Sequence, residues 1–152
     1  MRILCLLLLL AGGLRAADFI AFKSTTLTAT PETVTVQQPA TGSKSVAFLS
    51  AYAYCSVACT VTVSRSGIAA TTTAFTPASL SQPTDTPATT AFHTSNVGAG
   101  TTLATYSLAA GESLPLDLTS MGMIGDNTAR NLSIGTDSIT GTAKIGIKWR
   151  EQ

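Results

Sequence analysis

The sequence predicts an all-β fold: one antiparallel β-sandwich, jelly-roll-like, of roughly eight or nine short strands behind a cleaved signal peptide. Three observations predict it. Short runs of alternating apolar and polar residues recur, broken by Gly, Pro, Asn and Asp, and helical periodicity is almost absent beyond the N-terminal segment. The polar residues are mostly Thr and Ser, and β-branched Thr suits a pleated surface. No segment reads as a helix long enough to cover a sheet, so the apolar sheet faces must cover each other.

The chain opens with Arg2, the apolar run Ile3 to Leu10 and then AGGLRAA. This is the layout of a secretory signal peptide. The run is shorter than the roughly 20 apolar residues of a transmembrane helix. Cleavage is expected after Ala16, with Ala17 as second choice, because Leu14 stands where a small residue is preferred. The expected organisation is a signal peptide over 1–16, an N-terminal arm or first strand over 17–30, and the sandwich over 31–152. Cys5, Arg2 and Arg15 leave with the signal, so 9 basic residues fall to 7 against 8 acidic ones, a net charge of −1. Such a chain has no electrostatic footprint for nucleic acid or an anionic membrane. It is expected outside the cell or in the periplasm, with no membrane span in its mature part.

The strands are expected in order. TVTVQ, 33–37, alternates cleanly. SVAFLSAYAY, 45–54, sets Val46, Phe48, Tyr52 and Tyr54 on one face and Ala47, Leu49, Ala51 and Ala53 on the other. Both faces are apolar, which predicts a central strand covered on both sides. CTVTVSR follows, then a turn at Ser66–Gly67 and a strand over IAATTTAF. Three prolines make 76–87 a loop. ATTAFHTSNV is extended and GAG, 98–100, is a turn. TTLATYSL and ESLPLDL are strands around AAG, and Pro115 marks the second as an edge or bulged strand. After the loop SMGMIGDNTA, RNLSIGT and GTAKIGIKW close the fold. In the last strand Ala143, Ile145, Ile147 and Trp149 form a core face, and Lys144, Gly146, Lys148 and Arg150 a wet one. FIAF, near Asp18, is either a first strand or an arm for a neighbouring subunit.

Cys55 and Cys59 stand between two of these strands. In one straight strand their Cα atoms would lie roughly 13 Å apart, and a disulfide needs less than about 7 Å. A bridge therefore requires a reversal at Ser56-Val57-Ala58, read here as a three-residue hairpin. None of these residues favours a left-handed turn position, so the disulfide would hold a turn that the local sequence does not. A redox pair would be Cys-x-x-Cys at a helix start, and a zinc site needs more ligands than His93 supplies.

No motif carries recognisable chemistry. His93 is the sole histidine, and no G-x-S-x-G elbow accompanies it. Glu32, Asp85, Glu112, Asp117, Asp126 and Asp137 are scattered singly, mostly at turns. Asp126 and Asn127 lack the spacing of a calcium loop. NLS at Asn131 is a formal glycosylation acceptor inside an expected strand. Tyr52, Tyr54, Tyr106 and Trp149 could stack on a sugar, although strand-borne aromatics on apolar faces belong more often to a core. Trp149, near the chain end, and His93 are the candidate ligand contacts.

The layout resembles that of pilus and fibre subunits, surface-layer pieces, phage-type decoration domains and carbohydrate-binding modules, and no motif selects among them. The expected function is therefore non-enzymatic: a secreted structural or adhesion protein, self-associating as a homo-oligomer or surface polymer. The alternative is a binding module for carbohydrate or another ligand. No cofactor, metal or catalytic residue is expected.

Overall fold

The computed structural model describes residues 16–38, 45–66, 73–93, 100–121, 123–124 and 130–152. Residues 1–15 of the expected signal peptide, Gly67, all of the Gly98–Gly100 turn but Gly100, and Asp126 with Asn127 lie outside them. The described strands are β1 (Ala17–Thr28), β2 (Thr33–Gln37), β3 (Val46–Cys55), β4 (Cys59–Ser66), β5 (Thr73–Phe75), β6 (Ala78–Ser79), β7 (Thr90–His93), β8 (Thr101–Leu108), β9 (Ser113–Asp117), β10 (Met123–Ile124), β11 (Asn131–Thr136) and β12 (Thr140–Glu151). The sequence expected roughly eight or nine; beyond them are β1, left open there as strand or arm, and the two-residue pieces β6 and β10.

Two sheets form. The front sheet runs β10-β3-β12-β1-β6, with β9 beside β10 on the same edge of β3. The back sheet runs β5-β7-β2-β11-β4-β8. All pairings are antiparallel. The long strands pair as β1 with β12, β2 with β11, β3 with β9 and β4 with β8. These pairs are successive segments of one long ribbon, and rolling it sets β12 against β3 and β11 against β4. That is the jelly-roll arrangement of two sheets.

The core lies between the sheets. From the front come Phe19, Ala21, Phe48, Ala53, Ile145, Ile147 and Trp149, and from the back Val34, Val36, Val61, Val63, Leu132 and Ile134. Their period of two is why the sequence forms half-buried strands. The expected faces of β12 hold: Ala143, Ile145, Ile147 and Trp149 are buried, and Lys144, Lys148 and Arg150 face out.

Asp18 to Thr28 is not an arm. β1 pairs with β12 over its whole length, from Ala17↔Glu151 to Thr28↔Thr140, inside its own sandwich. The proline-rich segment is not only a loop: β6 pairs with Phe19 and Ile20, and Leu80 N–H donates to the Asp18 carbonyl at 2.8 Å. Further along, Glu151 is buried and accepts from Ala88 N–H, Thr89 N–H and the Thr89 hydroxyl at 2.8–3.0 Å. The expected loop after β9 contains a short 3-10 turn, Thr119–Met121, and β10.

The cysteine pair is bonded, and its Cα atoms are 6.3 Å apart. The reversal expected there is real, but it is not a hairpin. β3 lies in the front sheet and β4 in the back one. Ser56-Val57-Ala58 is an arch from sheet to sheet, and the disulfide closes its base. Four crossings meet at this end and are tied by backbone bonds: Ala29 N–H to Ile139 O, Ser56 N–H to Thr142 O and Gly111 N–H to Cys55 O at 2.9 Å, and Asp137 N–H to Thr60 O at 3.1 Å. Gly141 is required here. Its φ is +81°, and a Cβ would stand 2.5 Å from Ser56 Oγ.

Candidate functional site

One irregularity shapes the outer face of the front sheet. Lys148 pairs with Ser50, but Trp149 pairs with Phe48, so Leu49 is an extra residue on β3. A β-bulge of this kind re-aims the side chains beyond it. Val46 and Phe48 point into the core before the bulge, and Ala51, Ala53 and Cys55 after it. Tyr52 and Tyr54 consequently leave the face they were expected to share with Phe48 and turn outward, half-buried. β3 is central in its sheet, as expected, but it is not covered on both sides.

The register then aligns one outward row across four strands: Phe22, Gly146, Tyr52 and Pro115. With no side chain at Gly146, the row has a trough in its middle. A groove of about 280 Å³ results, lined among others by Ile20, Phe22, Ser50, Tyr52, Gly146 and Lys148. Phe22 is 50% exposed. Its ring edge leans over the floor, since a Cβ on Gly146 would lie 3.2 Å from Phe22 Cδ2. On the other wall the Tyr52 hydroxyl is hydrogen-bonded to Ser113 Oγ at 3.2 Å.

Charge frames the groove. Asp18 Oδ1 and Oδ2 accept from Arg150 Nε and Nη2 at 2.6 and 3.1 Å, and Lys148 Nζ stands 3.8 Å from Asp18 Oδ2. The Arg150 hydrogen bond, more than any other influence, holds the Asp18 carboxyl below the usual carboxylate range. Lys144 Nζ lies 5.2 Å from the centre of the Tyr54 ring, within cation–π range.

The residues expected to act are not together. Trp149 is buried, stacked on Phe19 at 5.9 Å between centroids, with Nε1 donating to Glu151 Oε1 at 3.4 Å. No face of its ring is left for a sugar. Tyr106 packs against the core from β8. Asn131 is buried at the start of β11, where no glycan could be attached to the folded chain. His93, on β7 in the back sheet, has its Nδ1 3.8 Å from Oε1 of buried Glu32 and meets Phe75 edge-on at 5.8 Å. A carboxylate thus stands beside the imidazole, brought there by the β2–β7 pairing. Asp117 and Glu112 have the local roles expected of them, accepting from Thr119 N–H and Ala109 N–H, whereas Asp137 accepts from Thr60 N–H, far away in the chain.

Sequence reasoning missed Phe22 and Gly146 as site residues. The alternation of β12 places Gly146 on its wet face. The missing step was β1 as its neighbour, which puts Phe22 opposite. Among the described residues no group of three His, Cys, Asp or Glu could hold a metal ion. Among them, too, no helix is long and apolar enough to cross a membrane. No protein-family model, curated protein or solved structure matches this chain.

Proposed function

We propose that this protein is a secreted, non-enzymatic adhesion module that binds carbohydrate in the groove of its front sheet. The observation that carries the reading is the aromatic pair Phe22 and Tyr52 on either side of the Gly146 floor. They stand two strand spacings apart, about 10 Å. A sugar ring offers such a trough an apolar C–H face for the aromatic walls and hydroxyls for the rim. Ser50, the Tyr52 phenol and Lys148 supply the rim with donors and acceptors. At about 280 Å³ the groove falls just below the range of enclosed small-ligand pockets, roughly 300–1,000 Å³. An extended chain lying across a rigid sheet suits it better than a small molecule enclosed on all sides. Secretion is supported by the disulfide, which belongs to oxidising compartments. It is also supported by β1, which begins at Ala17, directly after the expected cleavage point.

The test is affinity electrophoresis and calorimetry with soluble β-glucan, xylan and chitin oligosaccharides. Binding of at least one is expected, weakened tenfold or more by Tyr52→Ala and by Phe22→Ala. Gly146→Ala should weaken it too, by raising the floor against Phe22. Melting temperatures within a few degrees of the parent would show that the fold survives each change. Absence of binding to every glycan, or equal binding by all three variants, would sink the reading.

A further inference from the structure

A sheet edge presents unpaired N–H and C=O groups, and proteins that stay monomeric blunt such edges with short strands, proline or charge. Three edges of this sandwich are treated in that way. On the front sheet, β9 carries Pro115 and ends in Asp117, and its neighbour β10 has two residues. The other front edge is β1, covered at Phe19 and Ile20 by β6. Beyond that cover it carries Lys23, whose Nζ reaches to 6.0 Å from the Phe75 ring centre in the opposite sheet. On the back sheet β5 has three residues among those described.

The fourth edge is different. β8 closes the back sheet and pairs only with β4 among the described residues. It is eight residues long, Thr-Thr-Leu-Ala-Thr-Tyr-Ser-Leu, without a charge or a proline. Leu103 is the extra residue of a register shift and is 41% exposed. The bulge disturbs only the first part of the strand and leaves Ala104 to Leu108 regular. Ala104, Tyr106 and Leu108 face the core, so Thr105 and Ser107 face outward.

We propose that β8 is a pairing strand for a second copy of this chain, added antiparallel to its own β8. Self-pairing is favoured over a foreign strand because the strand carries no charge that could choose an unlike partner. An isologous contact also closes after two copies. The N–H and C=O groups of the open edge then find partners in a ladder that continues the back sheet from one subunit into the next. The two-fold axis of an antiparallel pair stands perpendicular to the sheet. Both front sheets therefore lie on the same side of the joined back sheets, and both grooves face one surface. This goes beyond the carbohydrate reading and does not depend on it. If that reading holds, the pair grips a glycan-coated surface at two points.

Light scattering behind size exclusion tests it on the parent and on Thr105→Lys, which sets like charges across the new ladder. The parent is expected to be dimeric at high concentration, and the variant monomeric with an unchanged melting temperature. A parent that stays monomeric, or a variant that stays dimeric, overturns the pairing. If the variant does not fold, amide exchange of the parent decides instead. Amides from Ala104 to Leu108 should exchange more slowly as concentration rises, and rates independent of concentration refute the proposal. On an immobilised glycan the dimer should bind roughly 10²-fold more tightly than the monomer. A monomer that binds glycan removes the pairing alone, and a dimer that binds none removes only the carbohydrate reading.

Discussion

Trp149 shows how a single residue can be legible in one respect and not in another. Its place in the core follows from the alternation Ala143, Ile145, Ile147, Trp149, and the structure leaves it no exposed surface. Trp149→Ala should therefore cost about 3–5 kcal/mol, a large part of a domain's typical 5–15 kcal/mol. Chemical denaturation measures this, and an unchanged midpoint would mean the ring is not in the core. What no pattern announced was Glu151, two residues further along the same face. An acidic residue there reads as solvated, yet it is buried and collects three donors from Ala88 and Thr89. Those donors come from a segment more than sixty residues earlier in the chain, and only the folded register brings them together. The same holds for Glu32 beside His93.

At the scale of elements, β3 and the arch after it set the limit of sequence reading. SVAFLSAYAY is apolar at both parities, so nothing local marks Leu49 as the extra residue. The face of Tyr52 and Tyr54, and with it the groove, depended on that one insertion. The arch at Ser56-Val57-Ala58 had the same ambiguity. Chain reversal brings two cysteines together whether the strands pair or part, and only the partners of β3 and β4 decide between the two. The bridge itself was legible from spacing and distance. Alkylation without reductant should label neither Cys55 nor Cys59, and reduction should lower stability by about 2 kcal/mol in the chain-entropy model. Labelling of both in the untreated protein would refute the bond.

For the whole molecule, acid is expected to loosen the seams first. Among the described residues, three carboxyls are held below their usual range. Asp18 is held there by its hydrogen bond with Arg150, which ties β1 to β12. Asp137 is held by the backbone N–H of Thr60, which ties the β11–β12 crossing to β4, and Asp117 by the Thr119 hydroxyl and then its N–H. A folded-state pKa below the unfolded value of about 3.9 means stabilisation that is complete above that pH and lost as pH falls through the folded pKa. Urea midpoints should thus be level from pH 7 to about 5 and fall below about pH 4. Asp18→Asn should flatten the fall, and an equal fall in that variant would refute the assignment to Asp18. That the molecule is a sandwich was legible from its alternation and from the lack of covering helices. A jelly-roll-like form was expected as well, but not which strands pair in it, because β1 with β12 is a contact between strands far apart in sequence.

The register Ala17↔Glu151 has a mechanical consequence. The two strands leave the sheet at the same rim, running in opposite directions. Tension applied between Ala17 and Glu151 would load their ladder one bond at a time, like a zipper pulled from its open end, and would meet little resistance. Tension applied between the groove and Glu151 would act along β12 instead. That strand is held on both sides by β1 and β3, so their hydrogen bonds share the load in shear. The fold is therefore soft when stretched by its own strand ends and stiff when pulled by whatever occupies its front face.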